Sequence, residues 1–523
     1  MAGAENLGKA PYYITTPIYY VNDKPHIGHV YTTLACDVLA RFMRLDRREV
    51  FFLTGTDEHG QKVERSALAQ GMEPQAFTDV MSGNFHDLSA AWQFSNDDFI
   101  RTTEARHVKA AQALWRKLQE NGEIYLSSYA GWYAVRDEAF YAEDELAQGE
   151  DGRKYAPSGA PVDWVEEPSY FFRLSAWQDR LLDFYRTNPD FVGPEGRRNE
   201  VVSFVKSGLR DLSISRTTFK WGIPVPGDPD HVMYVWLDAL TNYITAVGYP
   251  DENAESYRKF WPADLHMVGK DILRFHAVYW PAFLMAAGVE PPKRVFAHGW
   301  WTSEGQKISK SVGNVIDPYE LIDTYGLDQV RYFLLREVPF GNDGDFSHRA
   351  MVSRMNNDLA NDFGNLAQRV LSMVHKNCDG RIPEPGRLMA SDESMLAAAT
   401  AVLPKLRSEL AVQAFHRALE AIWTVVGQAN RYVDEMAPWA LRKTDKARME
   451  TVLFVLAEVV RQLAILTQPF MPNAPAKLLD QMGQPQEARD VAALDQPLEP
   501  GRAIERPQGV FPRYVEEAKQ DAS

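Results

Sequence analysis

The chain has 523 residues, 45% hydrophobic and 24% charged, which is the balance of an ordinary soluble globular protein. That length exceeds what one core supports, so two to four domains are expected. The net charge of −15, from 71 acidic and 56 basic side chains, excludes a protein that coats nucleic acid without specificity. A local basic face remains compatible with it.

Only Cys36 and Cys378 occur, in separate regions, so neither a disulfide framework nor a paired-cysteine metal site can be built. Cys36 reads as a small core residue. Apolar runs are cut by charge before they reach spanning length, and the first residues carry no signal-peptide pattern. A cytoplasmic protein with no membrane partner is expected.

In chain order, residues 12–20 are rich in β-branched and aromatic side chains and are interrupted by Pro17, which predicts a buried strand and then an extended stretch. Val30, Leu34, Val38 and Phe42 recur every four residues with Ala35, Leu39 and Met43 beside them, one face of a helix. His26-Ile27-Gly28-His29 opens that helix. Two imidazoles on one side of a first turn, together with unpaired N–H groups and the helix dipole, favour an anion such as a polyphosphate. Gly28 lets a ring or phosphate come close to the backbone. Residues 49–54 predict a second strand, which runs into Gly55-Thr56-Asp57-Glu58-His59-Gly60. A strand–helix–strand unit with polar residues at the strand end is a ligand crevice of a doubly wound sheet. Two readings of Asp57 stand here, a grip on an amine and an N-cap for a helix beginning near Gln61.

Residues 104–119 are helical in spacing. Beyond Asn121-Gly122 the texture turns aromatic and then rich in Gly, Pro and charge, as in an inserted module of hairpins and loops. Residues 232–236 predict a strand and Leu237 to Tyr243 start a helix. Residues 265–269 predict another strand, Lys270-Asp271-Ile272 open a helix bearing Phe275, His276, Tyr279 and Trp280, and 294–298 give one more strand. Alternation of strand and helix resumes here, so one parallel sheet is split by an insertion. Lys307-Ile308-Ser309-Lys310-Ser311 lies in a flexible cationic loop, which in isolation also reads as a solvated surface loop. Residues 350–376, 395–436 and 446–468 have helical period and form a bundle, followed by a proline-bearing tail.

His-x-Gly-His near the N-terminus followed far downstream by Lys-x-Ser-Lys-Ser resembles the paired signatures of the class I aminoacyl-tRNA synthetases. Further matches select the methionyl family within that class: residues 16–22, 55–60 and 234–239, the Gly269-Lys270-Asp271-Ile272 segment with His276, residues 365–369, and Ala437-Pro438-Trp439. The resemblance implies a Rossmann-type α/β fold with a connective insertion and an α-helical anticodon-binding bundle. Expected segments are 1–116 and 232–298 for the two catalytic halves, 117–231 for the insertion, 299–350 for the lysine loop and stem-contact region, 351–484 for the bundle and 485–523 for the tail.

It also implies methionine activation by ATP, with release of pyrophosphate, and transfer to the terminal adenosine of tRNA(Met). The substrate carboxylate is itself the nucleophile, so the protein must align reactants and neutralise phosphate charge. His26, His29, Lys307 and Lys310 are the catalytic candidates, Lys310 the larger contributor. Gly28, Gly269, Lys270 and Asp271 join His26, His29 and Lys310 at ATP, and Mg²⁺ arrives with the phosphates. By family match the methionine pocket is Ile18, Tyr20, Trp236, Ala239, Leu240, Tyr243, Ile272 and His276, with Asp57 on the ammonium. Tyr20 and His276 are expected to frame the sulfur. Without the resemblance these aromatics read as core. Asn365, Arg369, Pro438 and Trp439 are the anticodon candidates, with packing as the other reading of Trp439.

Many family members carry zinc knuckles built on cysteine pairs in the insertion. Here Ala134 and Asp137 stand at the first such pair and the insertion has no cysteine, so no zinc is expected, and Trp132, Tyr133, Phe140 and Tyr141 are expected to hold the module. The insertion is too short for the editing domain of the leucine, isoleucine and valine enzymes. No oligonucleotide-binding domain follows the bundle, which implies a monomer. Rival readings are another class I synthetase, a small nucleotidyltransferase, and a non-catalytic tRNA-binding paralogue.

Overall fold

Strands Tyr12–Thr15 and Val50–Asp57 pair in parallel, Tyr12 opposite Val50 and Thr15 opposite Leu53. This is the centre of a seven-stranded sheet in a computed structural model that describes residues 9–22, 24–308 and 315–516, without the side chains of Tyr129 and Lys307. Two units are distinguished: Pro11–Pro25 with Val50–His298, and Met1–Ala10 with His26–Glu49 and Gly299–Ser523.

In the first of these, the strand order is Val192–Gly193, Val295–His298, Leu265–Gly269, Tyr12–Thr15, Val50–Asp57 and Tyr19–Tyr20, with Asp98–Arg101 also on Val50–Asp57. Every pairing is parallel. Such strands are covered on both faces, which is why Tyr13, Ile14, Phe52, Leu53, Met267 and Val268 are all fully buried. Residues 232–236 are not a strand of this sheet. Asp228–Met233 belongs to a separate antiparallel sheet and the helix Val235–Thr245 begins before Trp236. The helical spacing of Leu237, Leu240 and Ile244, all buried, overrides the short apolar run.

The inserted module is a four-stranded antiparallel sheet, Leu212–Ser213, Asp163–Phe172, Ile124–Ala134 and Ala139–Tyr141. The edge strand Val192–Gly193 also comes from the 117–231 segment, yet it pairs in the main sheet. Ala134, Ala156, Ala160 and Val162 form a small core flanked by Trp132 and Tyr141. Asp137 accepts hydrogen bonds from the Tyr141 hydroxyl at 3.0 Å and from the Ser158 hydroxyl. Ala134, through this small core, and Asp137, through these hydrogen bonds, thus help to hold the module, and the expected aromatic packing supplies only part of the support, with Tyr133 against Phe140 at 4.7 Å.

In the other unit, the helix Ile27–Leu45 buries Val30, Leu34, Val38, Leu39 and Phe42 as its period predicts. Asp37 on that face is fully buried and meets the equally buried Arg331 of the helix Leu327–Arg336 at 2.6 Å. Arg331 also donates to the carbonyls of Phe470 (2.9 Å) and Pro469 (3.1 Å). The bundle contains Asn365–Asn377, Ala390–Thr400, Val402–Ala411, Phe415–Met436, Pro438–Thr444 and Lys446–Thr467. The span 395–436 is therefore not one helix. Gln413 takes a left-handed φ of 58° where the chain turns. Leu498, Ile504 and Phe511 of the tail are buried, and Tyr514 exchanges hydrogen bonds with Asn356. Among the described residues no helix is long and apolar enough to cross a membrane.

Candidate active site

At the C-terminal end of Val50–Asp57, Asp57 stands opposite Tyr20 in the parallel register. The helix Gln61–Ala69 is capped at Gly60, so Asp57 is not its N-cap, and that reading falls away. Asp57 is 7% exposed, and its Oδ1 is buried without a hydrogen-bond partner among the described residues. Burial first, then the carboxylates of Asp238, Glu138 and Glu58, push its pKa well above the usual carboxylate range, while the His59 N–H works the other way. A buried acid among acids is a seat for a cation.

The neighbouring turn is held by Asp238, which bridges two imidazoles: His59 Nδ1 at 2.6 Å and His107 Nε2 at 2.7 Å. Burial raises Asp238, but the two histidines prevail and hold it at about 2. Sequence reading missed this pair of contacts, since His59 and His107 lie 179 and 131 positions from Asp238 along the chain, and the segment that contains His59 gave that residue no role.

Trp236, Ala239, Leu240 and Tyr243 share one face of Val235–Thr245, spaced three, four and seven from the first. The Trp236 ring lies flat on Phe275 at 3.7 Å and 6°, and edge-on to His276 at 6.2 Å. Its Nε1 is likewise buried with no hydrogen-bond partner among the described residues, as are several other side-chain atoms of this unit, Asn242 Oδ1 on the same helix among them. Tyr243 stacks on His266 at 4.1 Å, and its hydroxyl meets His276 Nε2 at 2.7 Å. His276 Nδ1 lies 2.9 Å from the Ile272 carbonyl, which can only accept, so Nδ1 carries the proton and Nε2 takes the Tyr243 hydroxyl proton. Burial lowers His276 to about 4 and keeps it neutral. Neither it nor Tyr20, whose hydroxyl donates to Glu138 Oε1 at 3.0 Å, has a proton left for a thioether. Ile18, Tyr20, Trp236 and Ile272 are half-buried around the core that contains Leu240 and Tyr243. Gly269 ends its strand, and Lys270 and Asp271 form the short turn that follows.

In the other unit, His26 is the N-cap of Ile27–Leu45. Its Nδ1 accepts from the Gly28 N–H at 3.0 Å, and its own N–H donates to His29 Nδ1 at 3.1 Å. Each Nδ1 is thereby an acceptor, so in the neutral ring each Nε2 carries the donor proton. Burial first, then His26, lowers the His29 pKa. A Cβ at Gly28 would lie 2.9 Å from His26 Cε1, so glycine is needed there for the ring. Lys310 and the Lys307 side chain lie outside the described residues. The Arg369 guanidinium lies 5.6 Å from the Trp439 ring centre and bonds Asp434 at 2.9 Å. Trp439 is 47% exposed, Pro438 is buried, and Asn365 is exposed one turn before Arg369.

The family model described as tRNA synthetases class I (M) matches residues 12–371, and one described as the anticodon binding domain of methionyl tRNA ligase matches 382–523. The chain belongs to the methionyl class I tRNA synthetases. The methionine–tRNA ligase of Mesorhizobium japonicum is 59% identical to this synthetase over 99% of the chain and all of the relative. That of Mycobacterium tuberculosis is 55% identical over 96% of the chain and 98% of the relative. The M. tuberculosis methionyl-tRNA synthetase in complex with methionyl-adenylate superposes with a TM-score of 0.95 at 55% identity, covering 97% of this chain and 100% of the other. The apo form of that enzyme gives 0.89 at 52% identity, covering 97% and 99%.

Proposed function

We propose that this synthetase activates L-methionine with ATP to methionyl-adenylate and pyrophosphate, and then transfers methionine to the 3′-terminal adenosine of tRNA(Met). One observation carries the assignment of the amino-acid site. Asp57 Oδ1 and Trp236 Nε1, an acceptor and a donor, are both buried and unpartnered among the described residues of one unit. They are the complement of an amino-acid zwitterion, the acid for the ammonium and the indole N–H for the carboxylate. Ile18, Ala239, Leu240 and Ile272, with the rings of Tyr20, Trp236, Tyr243 and His276, supply apolar, polarizable walls suited to a thioether. The sulfur is framed by ring faces and not by a donated proton from Tyr20 or His276.

In the first step a methionine carboxylate oxygen attacks the α-phosphorus. The O–Pα bond forms as the bond from Pα to the bridging oxygen breaks, and the electron pair leaves on pyrophosphate. His26 and His29 donate Nε2–H bonds to phosphate oxygens from the helix end, Gly28 admits their approach, and Lys307 and Lys310 neutralise charge on the leaving group. Gly269, Lys270 and Asp271 are the further residues proposed to bind ATP. Mg²⁺ would come with ATP, where it would neutralise phosphate charge. No group of three or more His, Cys, Asp or Glu able to hold a metal occurs among the described residues, so no residue is assigned to it and no step depends on it. Trp439 stacks an unpaired anticodon base, with Arg369 and Asn365 reading edges and Pro438 setting the turn. Segments 1–116, 117–231, 232–298, 299–350, 351–484 and 485–523 are the proposed division of labour. The protein works in the cytoplasm as a monomer, and a sedimentation mass of twice 59.3 kDa refutes the latter.

The deciding experiment is pyrophosphate exchange with a panel of amino acids. Exchange dependent on methionine is expected. Exchange that answers instead to cysteine or leucine assigns another class I activity, and none at all supports a non-catalytic tRNA-binding protein.

A further inference from the structure

Glu138 stands in the tight turn between Ile124–Ala134 and Ala139–Tyr141 of the inserted module. A glutamate in a hairpin turn ordinarily points to water, but this one is 5% exposed. Its backbone is left-handed, φ 49°, a conformation that costs a residue with a Cβ and needs compensation. The compensation is visible. Oε1 accepts from the Tyr20 hydroxyl and from the Lys62 N–H, both at 3.0 Å, and Oε2 accepts from the Tyr133 hydroxyl. Its own carbonyl accepts from the Tyr234 hydroxyl at 2.9 Å.

Two of these contacts act at the amino-acid site. Lys62 lies in the first turn of Gln61–Ala69, whose N-cap Gly60 has no side chain, so Glu138 supplies that helix with a cap from 76 residues away. Tyr20 forms part of the proposed pocket wall. Its phenol occupies a slot between Glu138 and Gly60: a Cβ at Gly60, where φ is 113°, would lie 2.7 Å from the Tyr20 hydroxyl and 3.2 Å from Glu138 Oε1. The ring is thus fixed at its base by pairing with Asp57 and at its tip by a carboxylate from the insertion.

We propose that Glu138 is a positioning residue of the methionine site, one that sets the Tyr20 ring and so makes the inserted module a participant in amino-acid selection. The inference rests on the proposed methionine activity. Glu138 touches no substrate and acts through Tyr20. It also adds negative charge beside Asp57, whose pKa it raises.

The test is methionine-dependent pyrophosphate exchange on the full chain, with KM for methionine, KM for ATP and kcat measured for Glu138→Ala, Glu138→Gln, Tyr20→Phe and the double variant Tyr20→Phe/Glu138→Ala. Glu138→Ala is expected to raise the methionine KM about tenfold, equivalent to ~1.4 kcal/mol of binding. Its kcat and its KM for ATP should stay within about twofold of wild type, on that same scale. Tyr20→Phe should show a similar methionine KM, and the double variant should be no worse than either single one, as expected when one residue works through the other. Glu138→Gln keeps an oxygen acceptor and should recover most of the loss. If Glu138→Ala does not fold, Glu138→Asp, with its arm one methylene shorter, takes its place. Effects of Glu138→Ala and Tyr20→Phe that multiply overturn the proposal, as does a lowered melting temperature with an unchanged methionine KM, which would leave only the helix cap. A wild-type protein without methionine-dependent exchange defeats the functional reading itself, whereas normal wild-type exchange with a normal Glu138→Ala defeats only this inference.

Discussion

Asp57 carries a raised pKa in the unliganded protein because burial and three neighbouring carboxylates disfavour its charge. A bound ammonium reverses that balance, so methionine binding releases protons at pH values between the ordinary carboxylate value and the raised one. Calorimetry in buffers of different ionisation enthalpy measures the release, and a binding enthalpy independent of buffer in that range refutes the Asp57 assignment. His276 gives a second pH effect. Its pKa falls from 6.5 in the unfolded chain to about 4 in the fold, so the unfolded state takes the proton first. Its contribution to stability is present above pH 6.5 and is lost as pH falls toward 4, on the order of 3 kcal/mol in total. Urea unfolding across that range should show a shallower acid slope for His276→Asn than for wild type. At this scale the sequence revealed residue types better than their jobs. The His26-x-Gly-His29 turn was legible as a helix end suited to an anion, but the reciprocal cap of two Nδ1 atoms depends on rotamers and is not written in spacing. Trp236, Ala239, Leu240 and Tyr243 have the spacing of an ordinary core stripe, so only the family match marked them. Glu138 left no signal, because its partner Tyr20 is 118 residues away.

Elements were legible where their period is long and clean. Ile27–Leu45 follows its four-residue apolar spacing, while Val192–Gly193 is two residues long and leaves no pattern to read. Residues 232–236 show the opposite failure: a β-branched apolar run lost to the helix that its own next turns favour. Within the unit that contains Ile27–Leu45, one tie between elements is a fully buried ion pair. Asp37 and Arg331 are both fully buried, with Arg41 on the same carboxylate at 2.8 Å. Asp37→Ala leaves a buried guanidinium without its anion and should cost about 3–5 kcal/mol in urea unfolding. The paired replacement Asp37→Ala/Arg331→Met should recover part of that loss, and a double variant as unstable as the single one would assign the effect to packing instead.

At the scale of the whole molecule, activation and tRNA reading are assigned to different segments of chain. Trp439→Ala should therefore leave methionine-dependent pyrophosphate exchange unchanged while lowering the kcat/KM for tRNA charging about tenfold to a hundredfold, as one lost base stack of ~1–3 kcal/mol implies. An equal fall in both reactions would mean that Trp439 only supports the fold. Two distant motifs in fitting context were enough to read the architecture, a split parallel sheet followed by a helical bundle. The interior of the insertion was less legible, since Ala134, Ala156, Ala160 and Val162 are residues whose packing role appears only once the hairpins are folded.

The Asp37–Arg331 pair has a temporal side. The two residues are 294 positions apart, and ribosomes add about 5–20 residues per second, so the helix that opens with the two histidines has only its own Arg41 on Asp37 and waits on the order of 15–60 s for Arg331. Over that interval its apolar face and acidic centre belong to an unfinished body. Nascent-chain lengths that stop short of residue 331 should accordingly expose residues 27–45 to limited proteolysis, and protection should arrive abruptly once the second half has emerged.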